Sequence, residues 1–240
     1  MRLLIILYVN LFSCFIIYGQ EKTKWDYPVK PGTEEWKKFQ SNEEMVNSCQ
    51  IPDVVLSTLT TEELVDLSLR YPLIYDVFAF ENMNSGLNKL FNDFNGIREL
   101  YNKSEVSNNL IKRYSEQIKI FSILDGKSTE YEKGKFIVTV SLMEVLLCRC
   151  VEQNDADKEK SKEILRALVA GYEGKLKYID YFKGVGFRSN VYSRVNVISE
   201  ISEHKIEKLP QKEKNLVKFS GLADEQALRI IDEVSYQLIK

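Results

Sequence analysis

The segment YEKGKFIVTVSLMEVLLCRCV, residues 131–151, decides the fold class of this chain. It is the most apolar stretch beyond the first twenty residues, and its β-branched beginning would also suit a strand. Strands average about 5 or 6 residues, however, whereas buried helices commonly exceed about 10 residues. The length of the segment therefore predicts a buried central helix.

Apolar residues recur at helical spacing through most of the chain on both sides of this segment. Two helix starts are especially clear, because Ser41 with Glu44 and Thr60 with Glu63 have the spacing of a capping box. Pro52 opens a further short helix, at the position that proline favours. The other predicted helices include residues 34–40, 42–49, 73–80, 106–121, 160–178, 191–206 and 223–239.

This pattern predicts an all-α fold of about nine or ten helices in consecutive antiparallel pairs, either α-solenoid-like or an irregular bundle. No segment shows convincing strand alternation, and only 5 prolines and 11 glycines argue against a turn-rich sandwich or barrel. No fixed repeat period is evident. We predict one helical domain over residues 33–240, preceded by an extended N-terminal arm over residues 20–32.

The first 19 residues have the features of a cleavable signal peptide. Arg2 supplies the positive charge, residues 3–17 are nearly all apolar, and cleavage is expected after Gly19. The apolar run is shorter than the roughly 20 residues that span a bilayer, so no transmembrane helix is expected in the mature chain. These features predict an exported protein, either periplasmic or extracellular.

Cys14 gives a less favoured alternative, a lipoprotein anchored through this cysteine. The sequence Leu11-Phe12-Ser13-Cys14 loosely resembles a bacterial lipobox. Phe12 is bulky for its position, and cleavage before Cys14 would leave apolar residues 15–18 where a polar tether is usual.

The charge balance is mild, and it excludes nucleic acid as an expected partner. The net charge is −2, and loss of Arg2 with the signal peptide would make it −3. Phosphate binding relies on concentrated Lys and Arg, which this chain lacks. The three cysteines of the mature chain, Cys49, Cys148 and Cys150, are expected to be buried free thiols, although either of the last two could pair with Cys49.

The sequence offers no catalytic constellation, and we expect neither a cofactor nor a metal. His204 is the only histidine and stands in a charged stretch, where a solvated side chain is the ordinary outcome. Residues 183–186, Lys-Gly-Val-Gly, lack the spacing of a phosphate-binding loop and indicate a turn between helices.

The candidate binding residues are the aromatic side chains Trp25, Tyr27 and Trp36. Aromatic residues are typical hot spots of protein interfaces, so an exposed cluster here could bind a partner. The alternative is that the arm folds back and packs onto the helices through these rings, since exposed tryptophans reduce solubility.

Four segments resemble a group of uncharacterised exported bacterial proteins: residues 27–36 (YPVKPGTEEW), 61–65 (TEELV), 70–73 (RYPL) and 94–96 (FNG). The resemblance covers roughly the first third of the mature chain. It implies export and a helical fold, and it assigns no catalytic residue.

These observations favour a non-enzymatic helical interaction module whose partner is another envelope or extracellular protein. Two alternatives remain open. A hydrolase would use a carboxylate pair about 5–10 Å apart in a groove between helices. A lipid-anchored envelope protein would depend on Cys14.

Overall fold

A computed structural model describes residues 25–80, 82–153, 157–201 and 225–240, and all regular structure within these ranges is helical. The all-α prediction is confirmed for this part of the chain. The predicted signal peptide, Cys14, and the histidine at position 204 lie outside the described residues.

The helices of the N-terminal half are short. They are α1 (Asn42–Ser48), α2 (Asp53–Leu56), α3 (Thr61–Leu69), α4 (Met83–Asp93) and α5 (Asn95–Tyr101), with 3-10 helices at Trp36–Lys38 and Ile74–Ala79.

Most helices from residue 106 onward are longer, and several of them form the centre of the molecule. They are α6 (Val106–Lys119), α7 (Glu130–Gln153), α8 (Lys158–Lys177), α9 (Ile179–Phe182), α10 (Val185–Ile201) and α11 (Glu225–Ile239), with a 3-10 helix at Phe121–Asp125.

One predicted capping box forms completely and the other only in part. The side chain of Thr60 accepts a hydrogen bond from the Glu63 amide, and the Glu63 carboxylate accepts one from the Thr60 amide. Ser41 caps α1 through the Glu44 amide, but the Glu44 carboxylate accepts from the Gln40 amide instead of the Ser41 amide. Local sequence thus sets the start of both helices.

Helix α7 lies at the centre of the bundle, as its apolar sequence predicts. Helix α10 packs along both α7 and α8, α6 contacts the same two helices, and α11 covers α8 and α10. On the other side, α3 packs against α5 and α6. Because the main partner of α10 is α7 and not its chain neighbour, the described helices form an irregular bundle and not a solenoid.

The start of α10 differs from its prediction. The sequence predicts a helix from residue 191, whereas α10 begins at Val185. Gly184, with φ 78°, makes the turn that leads into it. Gly186 lies inside the helix, where a Cβ atom would come within 2.8 Å of Phe182 Cδ1. The second glycine therefore permits close packing and does not end the helix.

The predicted helix over residues 34–40 is reduced to a single 3-10 turn, Trp36–Lys38. Phe39 is extended, with φ −62° and ψ 132°, so the chain leaves the helical conformation before the Ser41 cap. Residues 73–80 are likewise a 3-10 helix, Ile74–Ala79.

Tyrosines that are largely shielded from solvent should make the protein less stable at alkaline pH. Burial raises the pKa of Tyr27, Tyr101 and Tyr114 well above the ordinary value. A raised folded-state pKa gives stability that is fully present below pH 10 and is lost as the pH rises toward the folded value.

We therefore expect these phenols to ionise only when the chain unfolds. A titration of tyrosinate absorbance should show a late phase that coincides with loss of the helical circular dichroism signal, and Tyr101→Phe should shrink that phase. Complete ionisation near pH 10 with the helical signal intact would contradict the expectation.

Candidate functional site

A surface cleft of about 310 Å³ lies between the N-terminal arm, the end of α3 with its following turn, and the start of α7. We call it the arm cleft. The arm contributes Asp26, Lys30 and Pro31, and helix α7 contributes Tyr131 and Lys135. Its volume is at the lower end of the range for small-ligand sites, about 300–1,000 Å³, so it fits a short ligand segment.

The arm wall of the cleft is held by Tyr27, whose side chain is only 4% exposed. Its hydroxyl donates to the carbonyl oxygen of Leu67 at 2.8 Å. Its ring lies 6.2 Å from that of Tyr71 and 6.1 Å from that of Phe94. Tyr71 and Phe94 are themselves stacked at 4.3 Å. This buried aromatic cluster fixes the arm against α3 and the turn that precedes α5.

The structure does not bring the three candidate aromatic residues to one surface. Tyr27 lines the arm cleft from its buried position, and Trp25 and Trp36 are not among the residues of the cleft wall. Both tryptophans are partly buried. Trp25 packs edge-on against Tyr27 at 4.9 Å, and Trp36 packs edge-on against Phe39 at 5.6 Å. Partner binding by the tryptophans stays a prediction.

One carboxylate of the cleft, Asp26, is held between two cations. Lys30 Nζ lies 2.5 Å from Oδ2, and Arg70 Nη1 lies 3.0 Å from Oδ1. Partial burial alone would raise the pKa of Asp26, but hydrogen bonds from Lys30 and the Tyr27 amide, with the charge of Arg70, bring it below its ordinary value. Asp26 is therefore ionised at neutral pH and joins the arm to the end of α3.

The cleft carries an excess of positive charge. Lys30, Arg70 and Lys135 line it, with Asp26 as the only acid among its lining residues. The ammonium of Lys135 is exposed on α7, and no described residue forms an ion pair with it. The surface of the cleft thus favours a negatively charged ligand.

Two exposed tyrosines form the mouth of the cleft. Tyr75 is 47% exposed and Tyr131 is 78% exposed. Burial and the charge of Tyr131, which lines the same cleft, both raise the pKa of Tyr75. Rings with an apolar face and a polar tip are well suited to contact a ligand at a water-exposed rim.

A pair of carboxylates, Asp76 and Asp93, lines a cavity of only about 10 Å³ next to Tyr71 and Lys89. Burial raises the pKa of Asp76, the nearby Lys89 opposes that shift, and Asp93 adds to it. The cavity has room for about one water molecule and none for a sugar ring. Within the described ranges no group of three or more His, Cys, Asp or Glu side chains could hold a metal ion.

The most elaborate polar cluster is buried and surrounds Glu144 of α7. Its Oε1 accepts from Tyr114 of α6 at 2.5 Å and from Asn190 of α10 at 2.8 Å. Its Oε2 accepts from Lys175 of α8 at 2.6 Å and from Ser189 of α10 at 2.5 Å. We call these five residues the Glu144 cluster.

The Glu144 cluster joins four helices and cannot be reached from solvent, because Glu144 and Lys175 are fully buried. Lys175 also donates to the carbonyl oxygen of Gly186 at 2.6 Å. These interactions satisfy the carboxylate and the ammonium inside the bundle, so the cluster orders the helices and does not bind substrate. Sequence analysis missed it, although an acid at position 144 inside the most apolar segment was its signal.

A second buried cation attaches the C-terminal helix. Arg194 of α10 donates to Asp232 at 2.6 Å and to Ser235 at 2.9 Å, both on α11, and lies 4.6 Å from the ring centre of Tyr172. Arg194 and Ser235 are fully buried, so the contact between them is internal to the bundle.

The three described cysteines are buried free thiols. Burial raises the pKa of Cys150 to about 12 and raises that of Cys148 well above its ordinary value. Thiols in this state are poor nucleophiles, so the cysteines contribute packing and not chemistry.

Among the described residues, no helix is both long enough and apolar enough to cross a membrane. No family model, curated protein or solved structure matches the chain. The arm cleft combines exposed aromatic rings with the ammonium of Lys135, which forms no ion pair among the described residues, and it is the feature from which a function is inferred.

Proposed function

We propose that the protein is an exported, non-enzymatic interaction module that binds a segment of another envelope or extracellular protein in the arm cleft. The observation that carries the proposal is the cleft of about 310 Å³ with exposed Tyr75 and Tyr131 at its mouth and Lys135 on its wall. Export rests on the sequence of residues 1–19 and on the resemblance of residues 27–36 to exported proteins.

The cleft is suited to binding because its walls are already ordered. Tyr27 fixes the arm through its hydrogen bond to Leu67, and Asp26 connects the arm to Arg70. A ligand that enters a pre-formed site avoids the cost of ordering it, which is about 0.5–1.5 kcal/mol for each immobilised flexible side chain. The two tyrosines add rigid contact area with little rotamer entropy to lose.

The charge state of Asp26 favours binding over catalysis. A general acid works best with a pKa near the operating pH, whereas the pKa of Asp26 is lowered by its contacts with Lys30, the Tyr27 amide and Arg70. Its oxygens are already used to hold the arm. The carboxylate is thus part of the scaffold of the cleft.

The two alternatives gain no support from the described residues. The paired carboxylates Asp76 and Asp93 enclose too little space for a glycan. Lipid anchoring through Cys14 concerns residues outside the described ranges, and the mass of the mature N-terminus measures it directly.

Site-specific photo-cross-linking tests the proposal. A benzoylphenylalanine side chain at Tyr131 keeps an aromatic ring at the mouth of the cleft, and the same group at Val54 is the control. Val54 is 82% exposed on α2 and does not line the cleft. In the native cells, the Tyr131 position should capture one discrete envelope or extracellular protein several-fold more than the Val54 position.

Excess unmodified protein should suppress that product, because both forms compete for one partner. Equal capture from the two positions, or none from Tyr131 in a folded and monodisperse sample, would refute the interaction module.

A further inference from the structure

Two cations of the arm cleft, Lys30 and Arg70, already bind a carboxylate group. The carboxylate of Asp26 lies 2.5 Å from Lys30 Nζ and 3.0 Å from Arg70 Nη1. Across the cleft, no carboxylate of the described residues forms an ion pair with Lys135 of α7. Lys135 is therefore the position at which a carboxylate from outside would complete the charge pattern.

The lining of the cleft favours an extended ligand. Extended, proline-rich peptides dock in grooves lined by aromatic side chains. Tyr75 and Tyr131 line the arm cleft in this way, beside Pro31 and Pro72.

We infer that the arm cleft selects an extended peptide segment with acidic side chains, whose carboxylate binds Lys135 while its backbone crosses Tyr75 and Tyr131. This inference rests on the proposed function and names the chemistry of the partner. The positive excess of the cleft opposes basic segments, because like charges at a binding surface are strongly unfavourable.

Fluorescence polarisation with three labelled peptides of equal length tests the inference. The peptides are four repeats of Pro-Glu-Ala, Pro-Gln-Ala or Pro-Lys-Ala, and the protein is the chain from Gln20 to Lys240. The Glu peptide should bind about 10-fold more tightly than the Gln peptide at low salt, and the Lys peptide should bind most weakly. Added salt should reduce the difference, since the cleft is open to solvent.

Lys135→Glu should lower the affinity for the Glu peptide about 10-fold. Lys158→Glu is the matched control, because Lys158 is an exposed lysine in the first turn of α8, outside the cleft, and its replacement changes the net charge equally. It should leave the affinity within about 2-fold. Both glutamates are compatible with folding, because both positions are exposed on the surface of a helix.

Equal affinity for the Glu and Gln peptides, or equal losses in the two variants, would overturn the inference. Displacement of the Glu peptide by polygalacturonate at the same carboxylate concentration would also overturn it, by showing that the cleft selects anions without regard to the peptide backbone. Cross-linking from Tyr131 without a preference among the three peptides would support the proposed function and refute only the selection of acidic segments. A preference for the Glu peptide without any protein cross-linked from Tyr131 would support the acidic-peptide site and refute the envelope or extracellular partner.

Discussion

A Lys175→Met variant is expected to lose about 3–5 kcal/mol of the free energy of unfolding, because it leaves a buried carboxylate without its cation. Lys175 and Glu144 are both fully buried, with Nζ 2.6 Å from Oε2. Tyr114, Ser189 and Asn190 would still donate to Glu144, but neutral donors do not replace the lost positive charge.

The expected loss of unfolding free energy is large because the ion pair of Lys175 and Glu144 is buried. Burial lowers the pKa of Lys175, and the nearby Glu144 opposes that shift. The ammonium therefore depends on its partner to remain charged inside the bundle. Methionine fills similar space without a charge, so the variant keeps the packing but loses the ion pair with Glu144 and the hydrogen bond to the Gly186 carbonyl.

Urea denaturation followed by circular dichroism measures the effect. Lys177→Met is the control, since Lys177 is an exposed lysine two positions further along α8, and its change should stay within about 0.5 kcal/mol. The double variant Glu144→Gln/Lys175→Met carries no buried charge at the pair and should be more stable than the sum of the single losses predicts, by about 0.5–3 kcal/mol. Strict additivity, or a Lys175→Met variant no weaker than the control, would show that the pair is not coupled.

The fold class and the starts of α1 and α3 could be predicted because they depend on local sequence. The apolar run of residues 131–151 is long enough to exclude a strand, and it lies within α7, Glu130–Gln153. The box formed by Thr60 and Glu63 involves residues three positions apart, so its spacing alone identifies it. Local rules of this kind need no knowledge of how helices pack.

The Glu144 cluster and the arm cleft could not be predicted in the same way, because their members are distant in sequence. Tyr114 and Asn190 meet the same carboxylate oxygen, although 76 positions separate them in the chain. Helical periodicity shows which face of a helix is apolar, but it does not say which helix covers that face. The arm cleft likewise depends on the contact between Asp26 and Arg70, which lie 44 positions apart in the chain. The three candidate aromatic residues, in contrast, lie close together in sequence.

Gly171→Ala, which adds one methyl group, is expected to destabilise the protein. Gly171 is buried in α8, and a Cβ atom there would lie 1.8 Å from the hydroxyl oxygen and 2.6 Å from Cζ of Tyr114. Tyr114 cannot move aside cheaply, because it is fully buried and its hydroxyl donates to Glu144 at 2.5 Å. Overpacking of this kind costs about 1–3 kcal/mol, even though alanine is the better helix former.

Gly134→Ala in α7 is the matched control for Gly171→Ala, because a Cβ atom at Gly134 would meet nothing within 4 Å. There the gain in helix propensity acts alone and should stabilise the protein by about 0.5–1 kcal/mol. Opposite signs for the two glycines in thermal and urea unfolding would show that the contact with Tyr114 causes the loss. If Gly171→Ala also stabilised the chain, α8 and α6 would have to lie further apart than this structure places them. The tight approach of these helices is what brings Tyr114 within reach of Glu144, so the glycine and the buried carboxylate form one structural unit.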